Sequence, residues 1–305
     1  MKLASINTLM YQLVLLICAM LLIYSCYRED NEPKPYNYII NGSEDLYPAF
    51  SPCGEYIAYW HFAWEIPEPT DYPTGLYITD RDGANRRLVL KGHHYTPSWS
   101  PCGQWLVFST GGVIQKCKTN SDSLTTFTGL DYLGNSEFFH PHWTHDGKYI
   151  LFSKPLAPEG GLFYSTSDFS FSGRIFGLEF ITFSAPKMSP NNYVFTCSGL
   201  DHDSKTIEIF TADTLGNTIN QLTSNKRYNL DPVWSTNGER IAWSSSLRLC
   251  VMDKNGSNQK QITYGQSPSW SVNDEIVFSH ANHDYSKEVL YIISPDGQNK
   301  RQLTF

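Results

Sequence analysis

The run His140-Pro141-His142-Trp143-Thr144-His145 gathers three imidazoles within six residues. Imidazole is both a common metal ligand and the side chain that titrates near neutrality, so such a run invites a metal centre or a general base. In an extended segment alternate side chains share a face, which puts His140 and His142 together and leaves His145 in the turn that follows. A three-ligand site would therefore need His93 or His94 from another segment. Histidines that merely line a channel are the simpler reading, and a metal held by His93, His140 and His142 is the alternative. Asp201-His202-Asp203 with His283-Asp284 is oxygen-rich enough for a hard cation, although a solvated loop explains it as well. Trp60, His61, Trp64 and Tyr72 lie around a stretch with Pro67, Pro69 and Pro73, which reads either as an exposed stacking surface or as a segment folded back on its own element. Arg227, Tyr228 and His280 complete the set of unusual loop residues.

Positioning these groups is the task of a repeat. Tyr95-Thr96-Pro97-Ser98-Trp99-Ser100-Pro101-Cys102-Gly103 returns in altered form around Pro48, Pro141, Pro186, Pro232 and Pro268, at steps of 36 to 49 residues. A self-similar period of that length marks a propeller blade of four strands. Within each copy the Pro-x-Trp segment reads as an inner strand and Ser-Pro-Cys-Gly as a tight turn. An apolar run such as Trp105-Leu106-Val107-Phe108 then reads as a strand buried on both faces. A third strand (Leu76-Tyr77-Ile78), an Asp-Gly or Asn-Gly turn and an outer strand (Gln221-Leu222-Thr223) close the unit. The expected fold is all-β: a six-bladed β-propeller of four-stranded antiparallel blades over residues 38–305.

These residues resemble the repeats of the TolB-type six-bladed propellers, whose phrase is roughly Pro-x-Trp-Ser-Pro-Asp-Gly, then Ile-Ala-Phe, Ile-Tyr, Asp-x-x-Gly and Leu-Thr. The resemblance covers about residues 36–305 and implies the fold rather than an activity. Cys53 and Cys102 stand where the family has Asp, Met188 replaces a Trp, and the outer strand of blade 3 is expected near Arg174–Leu178. The family also carries an α/β domain before its propeller, where this chain has a tether, so a role in the Tol system is not implied.

Residues 1–25 carry one charge, Lys2, ahead of an apolar run, as a secretory leader does. The run ends Ile23-Tyr24-Ser25-Cys26, which resembles a bacterial lipobox and implies a mature chain lipidated at Cys26; an uncleaved single-span anchor is the alternative. Residues 26–37 are polar and proline-bearing, the composition of a flexible tether. Tyr38-Ile39-Ile40 is expected to dock on the outer edge of the last blade. The formal net charge of −7 becomes one unit more negative when the leader is removed, and an acidic surface repels phosphate backbones, so nucleic acid is not an expected partner. The chain has seven cysteines. Cys53 and Cys102 occupy equivalent turns of neighbouring blades, farther apart than the roughly 7 Å between Cα atoms that a bridge allows, so no disulfide is expected.

Strand order puts the long links between strands 2 and 3, and those joining blades, on one rim, and the short Pro-x-Gly and Asp-Gly turns on the other. Loops on a rigid scaffold are where binding residues gather, so the loop-rich face is the expected binding face. The leading expectation is a monomeric, non-catalytic, lipid-anchored envelope propeller without a cofactor, periplasmic or surface-exposed at the outer membrane, that binds a protein or a glycan. A metal-dependent lyase of the oligogalacturonate type, working in the central funnel, is the alternative. No Gly-x-Ser-x-Gly elbow accompanies it.

Overall fold

The computed structural model describes residues 42–63, 71–120, 124–127, 137–154, 161–175, 183–191, 193–200, 205–214, 219–283 and 287–305. These form six four-stranded antiparallel sheets, each a meander in sequence order. The second strand of every blade is nearly inaccessible to solvent, as at Ile57, Ala58 and Tyr59, because neighbouring blades cover both its faces. The apolar core is accordingly divided into six clusters, one at each blade-to-blade interface. In the closing cluster Phe50, Ile57, Tyr59 and Tyr77 of blade 1 pack on Val277, Leu290, Ile292 and Leu303 of blade 6. Arg81 of blade 1 meets Glu275 of blade 6 at 2.6 Å, and the Phe50 amide donates to Ser269 Oγ at 3.0 Å. Blades 6 and 1 therefore close the ring by packing face to face.

A single irregularity recurs in all six inner strands. The residue before the repeat's proline is Tyr47, Thr96, His140, Ala185, Asp231 or Ser267, and each has a left-handed φ of 51–54°. Each stands at a register shift between the first and second strands of its blade. A bulge of this kind bends the strand and re-aims a side chain.

The short turns of the other rim share one clamp. The hydroxyl of Ser51, Ser100, Thr144, Ser189, Ser235 or Ser271 accepts the amide at the start of the second strand, at 2.9–3.3 Å. In blades 3, 4 and 5 the hydroxyl in turn donates to Asp146, Asn191 or Asn237 at 2.6–2.7 Å. Cys53 and Cys102 take that place in blades 1 and 2, each thiol 3.3 Å from its serine hydroxyl. All five described cysteines are free thiols, with Cys117, Cys197 and Cys250 buried in strands.

The outer strand of blade 3 is Ser172–Arg174, ending where the sequence placed its start. Trp60 lies inside the strand Tyr56–Ala63 and is 6% exposed, so it belongs to the blade rather than to an exposed insertion. Segment 38–40, the tether and the leader lie outside the described residues.

Two turn glycines separate conformational strain from ring closure. At Gly83 (φ 88°) a Cβ would overlap the Leu303 carbonyl of blade 6, whereas at Gly103 (φ 71°) nothing stands within 4 Å. Gly103→Ala should cost about 1 kcal/mol from the left-handed conformation alone. Gly83→Ala should cost about 2–4 kcal/mol, because it adds an inter-blade overlap to that strain. Urea unfolding midpoints of the two variants measure the difference.

Candidate functional site

The bulges converge on the axis. All six left-handed residues line an axial cavity of about 270 Å³, together with a second ring two positions on: Ala49, Ser98, His142, Lys187, Val233 and Ser269. Its wall continues through Pro52, Pro101, His145, Pro190, Thr236 and Val272, so among the described residues the cavity reaches the short-turn rim.

The histidine, lysine and aspartate side chains of this cavity come from blades 3, 4 and 5. His140 and His142 both face it, as strand alternation predicts, and His145 lies at the turn-rim mouth. Burial pulls the imidazole of His142 well below its ordinary value, and the Lys187 and His145 charges add to the effect. Burial also lowers His140, against the opposing pull of Asp231. The Lys187 ammonium is lowered to about 8 by burial, while Asp231 works to hold its proton on. Asp231 accepts a hydrogen bond from Ser267 Oγ at 3.1 Å.

The loop-rich face carries a different chemistry. Trp60 packs against Tyr95, Phe62 and His93 with ring centroids 4.5, 5.2 and 5.9 Å away. His93 is exposed and Phe62 and Tyr95 are half-buried. His93 and Tyr95 form one wall of a groove of about 470 Å³, with Ser109, Thr110, Gly111, Gly112 and Phe139 on its other sides. The Trp60 indole N–H is buried beneath this cluster without a partner among the described residues. Close by, His61 Nδ1 and Asp45 Oδ1 are 2.7 Å apart, and Arg86 approaches the same oxygen at 3.4 Å. Arg86 also lies 4.6 Å from the centroid of the half-exposed Tyr72 ring.

The remaining residues singled out from sequence are dispersed. His94 is buried, its Nε2 3.1 Å from the Lys91 carbonyl and its ring edge-on to Phe108, which is the role of a core histidine. His280 stacks on Tyr264 and is lowered to about 4, by burial first and then by Lys300. Arg227 and His283 are exposed and Tyr228 is half-buried. Cys26, Trp64, Asp201, His202, Asp203, Asp284 and Tyr285 lie outside the described residues. His93 lines a different cavity from His140 and His142. Among the described residues no three of His, Cys, Asp and Glu converge in a way that would hold a metal.

Sequence reasoning overlooked Tyr47, Ser98 and Phe62 as site residues. Tyr47 was findable, because it takes the place immediately before the proline in its copy of the repeat. Glu44, opposite Phe62 across the first two strands of blade 1, carried no such signal.

No family model matches the chain, and no curated protein matches it by sequence. Solved structures do. A protein assigned as a TolB from Agrobacterium tumefaciens superposes with a TM-score of 0.64 at 19% identity, over 72% of this chain and 84% of that one. TolB from Acinetobacter baumannii gives 0.64 at 18%, over 88% of this chain, which spans 64% of that protein's length. A chain of a nidogen–laminin complex gives 0.61 at 10%, over 87% and 94%. By architecture the molecule is thus a six-bladed β-propeller, and its fold is that of the TolB-type propellers.

Glu44 supplies a pH test of this region. Burial, with the charges of Glu288 and Asp45, pushes its carboxyl up to about 7. Its folded-state value exceeds the unfolded one, so the native state holds the extra proton and stability falls as pH rises through that window to about 7. Glu44→Gln should raise the melting temperature by about 2–4 °C above about pH 8, and leave it nearly unchanged below about pH 5. Thermal unfolding of both proteins across that range decides it.

Proposed function

We propose that this chain is a non-catalytic binding propeller of the bacterial cell envelope, anchored through a lipid on Cys26, and that its loop-rich face engages a protein or glycan partner. The observation that carries the reading is the Trp60–Phe62–His93–Tyr95 cluster at the wall of the loop-side groove. Grouped ring faces beside a largely apolar groove edged by Ser109 and Thr110 suit the apolar face of a sugar or an aromatic-bearing peptide. The fold shared with two bacterial TolB proteins supports an envelope setting, and Ile23-Tyr24-Ser25-Cys26 supports the anchor. A binding role needs only these features. The lyase reading needs a metal set that the described residues do not assemble.

The full chain, immobilised from detergent, should capture its partner from an envelope extract or from a glycan panel, and the panel separates sugar from protein. Combining His93→Ala with Tyr95→Ala should weaken capture about tenfold or more while moving the unfolding temperature by less than about 4 °C. Undiminished capture by the folded double variant would remove this face as the docking surface. Intact mass spectrometry should find a lipid-modified Cys26 amino end; an unmodified one removes the anchor.

A further inference from the structure

The axial cavity is a second site, independent of the loop-rich face. One cation, the Lys187 ammonium, belongs to its wall without an acceptor among the described residues. Ser98 Oγ accepts the Trp143 amide at 3.3 Å and lies 3.3 Å from His142 Nδ1. Nε2 of the same ring is buried and has no partner among the described residues. With almost no accessible surface, that atom does not open onto the cavity, and His142 contributes wall rather than a ligand contact. The group left to meet a ligand is the Lys187 ammonium. Its only charged influence is Asp231, and no hydrogen bond or ion pair joins the two.

The rest of the cavity narrows the ligand class. Tyr47 (blade 1), Thr96 and Ser98 (blade 2), and Ser267 and Ser269 (blade 6) add hydroxyls, and Pro48, Pro97 and Val233 add apolar wall. Its volume of about 270 Å³ lies near the lower end of ligand pockets, about 300 Å³. One ammonium with a carboxylate, Asp231, on the same wall matches a single negative charge and opposes a double one. We propose that this axial cavity binds a small organic acid, its carboxylate received by Lys187 and its apolar body held by the proline-rich wall, with entry through the short-turn rim.

Calorimetric titration of the full chain in detergent, using benzoate, benzamide and inorganic phosphate near neutral pH, tests this. Benzoate should bind about tenfold or more tightly than benzamide, and more tightly than phosphate. Lys187→Met should weaken benzoate about tenfold or more. Since Lys187 is lowered to about 8, benzoate affinity should fall as pH rises through that value; Asp231, His140 and His142 are the charged or titratable groups that face it. A measurement that needs no variant is amine-reactive labelling of the wild-type protein, in which benzoate should protect Lys187 and benzamide should not. Equal binding of benzoate and benzamide, unchanged affinity in a folded Lys187→Met, or unprotected labelling would overturn the proposal. Phosphate binding tighter than benzoate would overturn the carboxylate assignment.

Discussion

Everything at the axis depends on one backbone constraint, the left-handed residue ahead of each repeat proline. Proline fixes its own φ, offers no amide to the ladder and crowds the residue before it. The inner strand absorbs this by inserting a bulge where six strands come closest together. For the non-glycine residues found there, the left-handed conformation costs about 1 kcal/mol or more apiece. That cost is borne six times because burial between blades is far larger. Each strand-2 residue such as Val107 or Ile241 is shielded on both sides, and burying one such side chain contributes about 1.5–3 kcal/mol.

The consequence is a division of labour within the repeat. The strand-2 residues and the turn hydroxyls hold the blade and vary little in kind from copy to copy. The bulge residue and the residue two positions on point into the cavity and differ freely: Tyr47, Thr96, His140, Ala185, Asp231 and Ser267 share a conformation but no chemistry. Cys53 and Cys102 obey the same logic at the turn. The clamp needs a group near the serine hydroxyl, and a thiol at 3.3 Å occupies the place that Asp146 fills at 2.7 Å. The Ser100 hydroxyl and the Gln104 amide then draw the Cys102 thiol below its ordinary value, as they would stabilise a carboxylate there.

The fold was legible because it is written six times, and even imperfect copies keep the proline, the hydroxyl and the apolar run in phase. The site was legible only in part. Alternation along a strand placed His140 and His142 on the channel correctly. Loop length pointed to the loop-rich face, and it says nothing about where the axis is open, so the axial cavity gave no signal of its own. The cavity reaches the short-turn rim because the second-ring side chains of blades 1, 2, 5 and 6 are small, namely Ala49, Ser98, Val233 and Ser269. Trp60 was misplaced for a related reason: its aromatic character suits a stacking surface, but its pairing with Leu46 and Leu76 fixes it within the sheet.

Charge along the axis is unevenly distributed, and the asymmetry keeps the lysine available. Tyr47, at the bulge ring, is pushed up by burial and then by Asp231 and Glu288, so carboxylates surround that level of the ring. Lys187 stands on the same strand as Ala185, the smallest of the six bulge residues, which leaves room above it. A closed ion pair with Asp231 would satisfy the ammonium and silence it. At the observed separation no ion pair forms, yet the carboxylate still counters the pull of burial and keeps the ammonium charged around neutrality. Partial compensation of this kind leaves a buried cation that is still able to take a ligand.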